Sequence, residues 1–103
     1  MNKKIRTLES LTFTLTNVNR ALVTARGTVP TDGWTEPELG NEHVDDGTTH
    51  LDFLATPPRG AAADVISHLE AGCTFFLVGK PREITVHAET NEMRVTLPAL
   101  GDP

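Results

Sequence analysis

The sequence predicts an all-β chain, a small antiparallel β-sandwich of roughly six to eight short strands in which residues 1–103 form a single domain. Three observations carry that expectation. Apolar and polar residues alternate with a period of two in several segments, as they must where an extended strand turns successive side chains to opposite faces. Clusters of Pro, Gly, Asn and Asp separate those segments every 8 to 14 residues or so. Only one stretch has helical spacing, so the crossover helices that a parallel sheet needs are missing.

The elements follow in order. Leu11, Phe13 and Leu15 alternate with Thr12, Thr14 and Thr16, a half-buried strand of β-favouring residues. Ala21 to Val29 repeats the pattern after a polar corner, Asn17 to Arg20. Pro30-Thr31-Asp32-Gly33 is a turn, with Pro preset at φ near −65° and Gly free to take positive φ. Trp34 to Val44 is less regular, and Pro37 confines any strand there to an edge or a late start. Asp45-Asp46-Gly47 turns the chain into His50 to Thr56, with Leu51, Phe53 and Ala55 on one face and His50, Asp52 and Leu54 on the other. Ala61 to Ala71 reads either as a helix, from Ala62, Val65, Ile66 and Leu69, or as a strand, which its β-rich surroundings favour. Ile84, Val86 and Ala88 point inward from the next strand and Thr85, His87 and Glu89 outward; Asn91-Glu92 then turns into Met93, Val95 and Leu97. Pro98 to Pro103 reads as a tail. Leu11, Phe13, Leu15, Phe53, Val86 and Val95 are the expected core.

Composition removes several functions. With 103 residues, 38% of them hydrophobic, the chain supports one core. Cys73 is the single cysteine, which excludes an internal disulfide and a thiolate-rich zinc site; flanked by Phe75 and Phe76, it reads as a small buried hydrophobe. A net charge of −5 argues against nucleic acid, whose phosphates demand Lys and Arg. The charge is also segregated. Residues 1–26 sum to +4, residues 27–58 to −7 and the remainder to −2. No run of about 20 apolar residues spans a membrane. Thr7, Glu9, Ser10, Thr12 and Thr14 interrupt any apolar stretch after the basic start, so no signal peptide is expected and a cytoplasmic location is the default.

Gly27-Thr28-Val29-Pro30-Thr31-Asp32-Gly33-Trp34-Thr35, Asp52-Phe53-Leu54-Ala55-Thr56-Pro57-Pro58 and Val86-His87-Ala88-Glu89-Thr90-Asn91 resemble segments of short bacterial proteins of no assigned activity. That resemblance implies an immunoglobulin-like sandwich and assigns no functional residue. Residues 36–46 are more acidic than the pattern.

Phosphate loops, dinucleotide fingerprints, nucleophile elbows and His-Glu-x-x-His pairs are all absent. Ser67 and His68 are neighbours that a strand points to opposite faces, which disfavours a Ser-His nucleophile. One constellation stands out. Each histidine is followed two residues later by a carboxylate: His43/Asp45, His50/Asp52, His68/Glu70 and His87/Glu89. On a strand this spacing places both groups on one face, as a hydrated surface, as ligands for a borderline metal or as a modest pH sensor.

The sequence therefore reads as a non-enzymatic binding or interaction module without a cofactor. Its expected contact surface is Trp34 with Asp32, Glu36, Glu38, Glu42, Asp45 and Asp46, suited to a basic protein partner. Self-association through edge strands is a further possibility. The alternative is a protein that binds zinc or another divalent metal, with hydrolytic use open, through His50, Asp52, His87 and Glu89.

Overall fold

The structure, a computed structural model, describes residues 2–17, 20–76 and 82–97. It is all-β, with eight strands in two sheets: β1 (Lys3–Lys4), β2 (Thr7–Asn17), β3 (Arg20–Val29), β4 (Thr35–Asp45), β5 (Thr48–Thr56), β6 (Ser67–Phe76), β7 (Arg82–His87) and β8 (Glu92–Leu97). β2, β3 and β6 form one antiparallel sheet with β3 in the middle. The other sheet is built on β5. β4 pairs along one edge of β5, while β7 and then β1 share its opposite edge, and β8 lies beyond β7.

Period-two patterning decides which faces meet. Ala21, Val23, Ala25 and Val29 of β3 face Leu51, Phe53 and Ala55 of β5 and Ile84 and Val86 of β7 in one buried cluster. The apolar face of β2 fades along its length: Leu8 is buried, Leu11 and Phe13 pack against the cluster, and Leu15 is 50% exposed, outside the core expected of it. Val95 joins only in part.

The wholly antiparallel expectation is corrected at one place, because β5 and β7 run parallel, with Thr48 beside Glu83 and Asp52 beside His87. A parallel pair needs a crossover, and here β6, in the opposite sheet, takes the place of a helix. The ambiguous stretch divides: residues 61–66 have no regular structure, and the strand begins at Ser67.

Two turns at the strand ends fix the pairing. Asp46 and Gly47, at φ 52° and 80°, join β4 to β5 in a two-residue hairpin with Asp45 opposite Thr48. Positive φ at both central residues matches the right-handed twist of the strands, which is why Asp-Gly suits the position. β7 ends sooner than the alternation suggests, and the Ala88 amide donates to the Asn91 carbonyl at 2.8 Å to close the turn into β8. The Asn91 side chain then reaches the other sheet, accepting from the Leu8 amide at 2.8 Å and donating to the Leu8 carbonyl at 3.0 Å. The expected tail, Pro98 to Pro103, lies outside the described residues.

Phe53 is the largest fully buried side chain and lies at the centre of β5. Phe53→Ala should lower unfolding free energy by about 3 to 5 kcal/mol, the usual cost of deleting a buried aromatic ring. Urea denaturation followed by circular dichroism measures it, and a loss under about 1 kcal/mol would place the ring outside the core.

Candidate functional site

The outward face of the β5 sheet carries the imidazoles. His43 and His50 are register partners across the β4–β5 hairpin, and their rings stack at 4.9 Å with 12° between planes. His50 Nδ1 lies 2.9 Å from His87 Nε2 on the parallel neighbour β7. His87 Nδ1 faces Glu92 Oε1 of β8 at 3.5 Å. Asp52, the register partner of His87, accepts a hydrogen bond from Asn41 Nδ2 at 3.0 Å. A polar row thus crosses four strands.

Geometry says what the row can do. The centroids of His50 and His87 are 5.2 Å apart and their planes differ by 20°. That separation exceeds the N···N distance by about two ring radii, so the two nitrogens lie between the ring centres and face each other. One ring donates an N–H to the lone pair of the other. Two imidazoles chelating zinc at 2.0–2.1 Å would instead point both lone pairs at a third position, with nitrogens about 3.3 Å apart at the tetrahedral angle. Among the described residues no group of three or more His, Cys, Asp or Glu side chains is placed to hold a metal ion. Beneath the row lies Thr85, between His50 and Arg94 in register, fully buried with its hydroxyl unpartnered.

Of the four expected metal ligands, the fold brings His50, Asp52 and His87 onto adjacent positions and leaves Glu89 elsewhere. β7 stops at His87, so Glu89 is past the last alternating position; its amide donates to the Ile5 carbonyl at 2.8 Å, and Glu92 takes the place opposite His87. The His-x-acid spacing was a signal of strands, whereas the contacts run across strands. His68 of β6 likewise lies 2.8 Å from Glu9 of β2, across β3 in the same sheet, while Ser67 Oγ donates to the Val65 carbonyl.

The acidic residues are spread along β4. Asp32 is engaged: its carboxylate accepts from the Ala63 amide at 3.0 Å, and its own amide donates to the Ala63 carbonyl. Glu36, at φ 54°, sits in a bulge that also takes up Pro37, where no ladder amide is required. Glu38 accepts from Asn2 Nδ2 at 2.7 Å. Glu42, Asp45 and Asp46 are exposed. Among the described residues Arg26–Glu70 and Arg94–Glu83 are ion pairs, His68–Glu9 and His87–Glu92 are imidazole–carboxylate contacts, and none of the four touches an acid of residues 32–46.

Trp34 is half-buried against the core, and its Nε1 donates to Thr31 Oγ1 at 3.0 Å. It shares a cleft of about 190 Å³ with Lys3, Lys4, Arg6, Pro30 and Glu89. A second hollow of about 310 Å³ adjoins it through Arg6 and Pro30 and is bordered by the 69% exposed Ile66. Sequence reading missed this grouping, because the basic triplet meets Trp34 only through the pairing of β1 with the far end of β5. No family model, curated protein or solved structure matches the chain.

Cys73 lies half-buried on β6 opposite Val23. Burial pushes its thiol up, the Glu42 carboxylate adds to the shift, and a backbone hydrogen bond at Thr74 offsets part of it. A raised folded value means that the thiol's contribution to stability is full below the unfolded pKa and is lost as pH rises through the folded one. Iodoacetamide should therefore alkylate native Cys73 more slowly than the unfolded chain near pH 8, with Glu42→Gln speeding the native reaction. A native rate equal to the unfolded one would contradict the placement.

Proposed function

We propose that this protein is a non-enzymatic interaction module of immunoglobulin-like architecture whose contact surface is the Trp34 end of the sandwich. One observation carries the reading: Lys3, Lys4 and Arg6 surround an indole-walled cleft, and none of the three makes an ion pair among the described residues. Glu89 is the one carboxylate in the lining. Three cations beside a tryptophan and a proline suit an extended segment bearing carboxylates and an apolar side chain, since aromatic anchors and cations together make effective contact centres. The partner is thus acidic at this surface, opposite in sign to the partner the sequence alone suggests. Neighbours of Trp34 in the chain are acidic, but its neighbours in space are basic.

Trp34 is the only tryptophan and the chain has no tyrosine, so its emission reports on the cleft. An acidic peptide of about ten residues containing one Val or Leu should shift that emission saturably in low salt. The affinity should be on the order of tens of micromolar and weaken several-fold near 0.5 M salt. Lys3→Glu with Arg6→Glu should abolish the shift. A response to a basic peptide instead would overturn the reading.

A second reading rests on the 2.9 Å His50–His87 contact with Asp52 next in register. Turning both rings by rotation about their side-chain bonds would let them share a divalent cation, completed by water or Asp52. Calorimetric titration with zinc at about 50 μM protein should then show saturable heat that His50→Ala and His87→Ala each reduce. A flat titration removes this reading.

A further inference from the structure

We infer that the acidic segment which fills the Trp34 cleft is the β4–β5 hairpin of a second copy of this chain, so that copies associate head to tail. The inference rests on the cleft reading above and names its partner. The molecule is elongated, with extents of 55 × 26 × 20 Å. The cleft lies where β4 begins, next to Thr35, and the hairpin lies at the other end of the same strand. Ten residue steps at about 3.3 Å separate them by roughly 30 Å, so one molecule cannot close its own hairpin onto its own cleft.

The two ends complement each other. The hairpin presents Glu42, Asp45 and Asp46, all exposed and none ion-paired among the described residues. It also presents Val44, which is 66% exposed, an apolar side chain for the wall formed by Trp34 and Pro30. Its tip is narrow, a two-residue turn with open space around Gly47. The cleft offers three cations to those three carboxylates. A net charge of −5 repels copies in other orientations, leaving the one in which opposite ends meet.

Edge-to-edge pairing of β4 is one competing route to an oligomer, and the strand is built against it. Register shifts between Thr35 and Glu38 and between Gly40 and His43, with Glu36 and Asn41 at positive φ, break the regular row of backbone donors and acceptors that strand addition requires. A hairpin seated in the cleft makes the contact end to end and heterologous: each copy uses one surface to give and another to receive.

Heterologous contacts allow a decisive mixing experiment on the full chain. Sedimentation velocity of the wild type in low salt should show weight-average mass rising at least twofold as concentration goes from about 5 to 200 μM, and falling back near 0.5 M salt. A cleft variant, Lys3→Glu with Lys4→Glu, and a hairpin variant, Glu42→Lys with Asp45→Lys, should each remain monomeric alone. Mixed, they also test charge matching: the two reversed surfaces restore one contact, and the two unaltered surfaces restore the other, so association returns. The neutral pair Glu42→Gln and Asp45→Asn keeps an unaltered cleft, so mixed with the cleft variant it should stop at one-to-one pairs while the charge-reversed mixture grows beyond them, which separates charge from folding. A wild type that stays monomeric at 200 μM, or a mixture that stays monomeric, overturns the inference. If an acidic peptide still shifts Trp34 emission in that case, the cleft takes a different acidic partner; if it does not, the cleft reading falls as well.

Discussion

The backbone of Ile5 and Arg6 is hydrogen-bonded to both sheets, and the rest of the molecule is arranged around that crossing. The Ile5 amide donates to the Phe53 carbonyl of β5 at 2.9 Å, and the Arg6 amide donates to the Thr28 carbonyl of β3 at 3.1 Å. On the other side, Ile5 and Arg6 carbonyls accept from the amides of Glu89 and Thr90. The first strand thus belongs to one sheet at Lys3–Lys4 and to the other from Thr7 onward. Ile5 is completely buried at the switch. Gly27 lies against it, where an added Cβ would come within 2.6 Å of the Thr7 carbonyl oxygen, a backbone atom with little freedom to yield. Four backbone bonds at one crossing satisfy polar groups that would otherwise be buried without partners, and they hold the two sheets in fixed relation.

The same crossing distributes the charge. Lys3 and Lys4 are paired beside Leu54 and Ala55, which brings them, with Arg6, to the cleft beside Trp34. β4 pairs on the opposite edge of β5 and carries its carboxylates away toward the Asp46-Gly47 turn. None of the contacts Arg26–Glu70, His68–Glu9, His87–Glu92 and Arg94–Glu83 joins the positive segment to the negative one that follows it in the chain, and Glu38 instead accepts from the neutral amide of Asn2. Surfaces of opposite sign, separated along a long axis and carried on paired strands, are a physical basis for orienting a charged partner.

What the sequence made legible was local. The alternation of Leu51, Phe53 and Ala55 with His50 and Asp52 needs only the geometry of a strand, and it holds in the structure. His43 and His50 are equidistant from Asp46-Gly47, so a two-residue hairpin makes them partners; that pairing was readable from spacing once the turn type was fixed. The approach of His87 was not readable, because a parallel neighbour reached through the opposite sheet leaves no local trace. Nor was Glu92, which replaces Glu89 because β7 ends one alternation early. Thr85 follows the outward pattern and is nonetheless fully buried, between His50 and Arg94 in register. Trp34 illustrates the limit most clearly: residues 32–38 describe an acidic setting, and a pairing between strands some fifty residues apart, β1 with β5, supplies a basic one.

Native-state amide hydrogen exchange tests the crossing directly, since protection reports the free energy needed to break each bond. The account predicts that the amides of Ile5, Arg6, Glu89 and Thr90 exchange as slowly as those of Val23 and Leu51 in the central strands, despite lying near a chain end and in a turn. Rapid exchange at those four positions, with Val23 and Leu51 still protected, would show that the first strand does not tie the sheets together and would contradict the account.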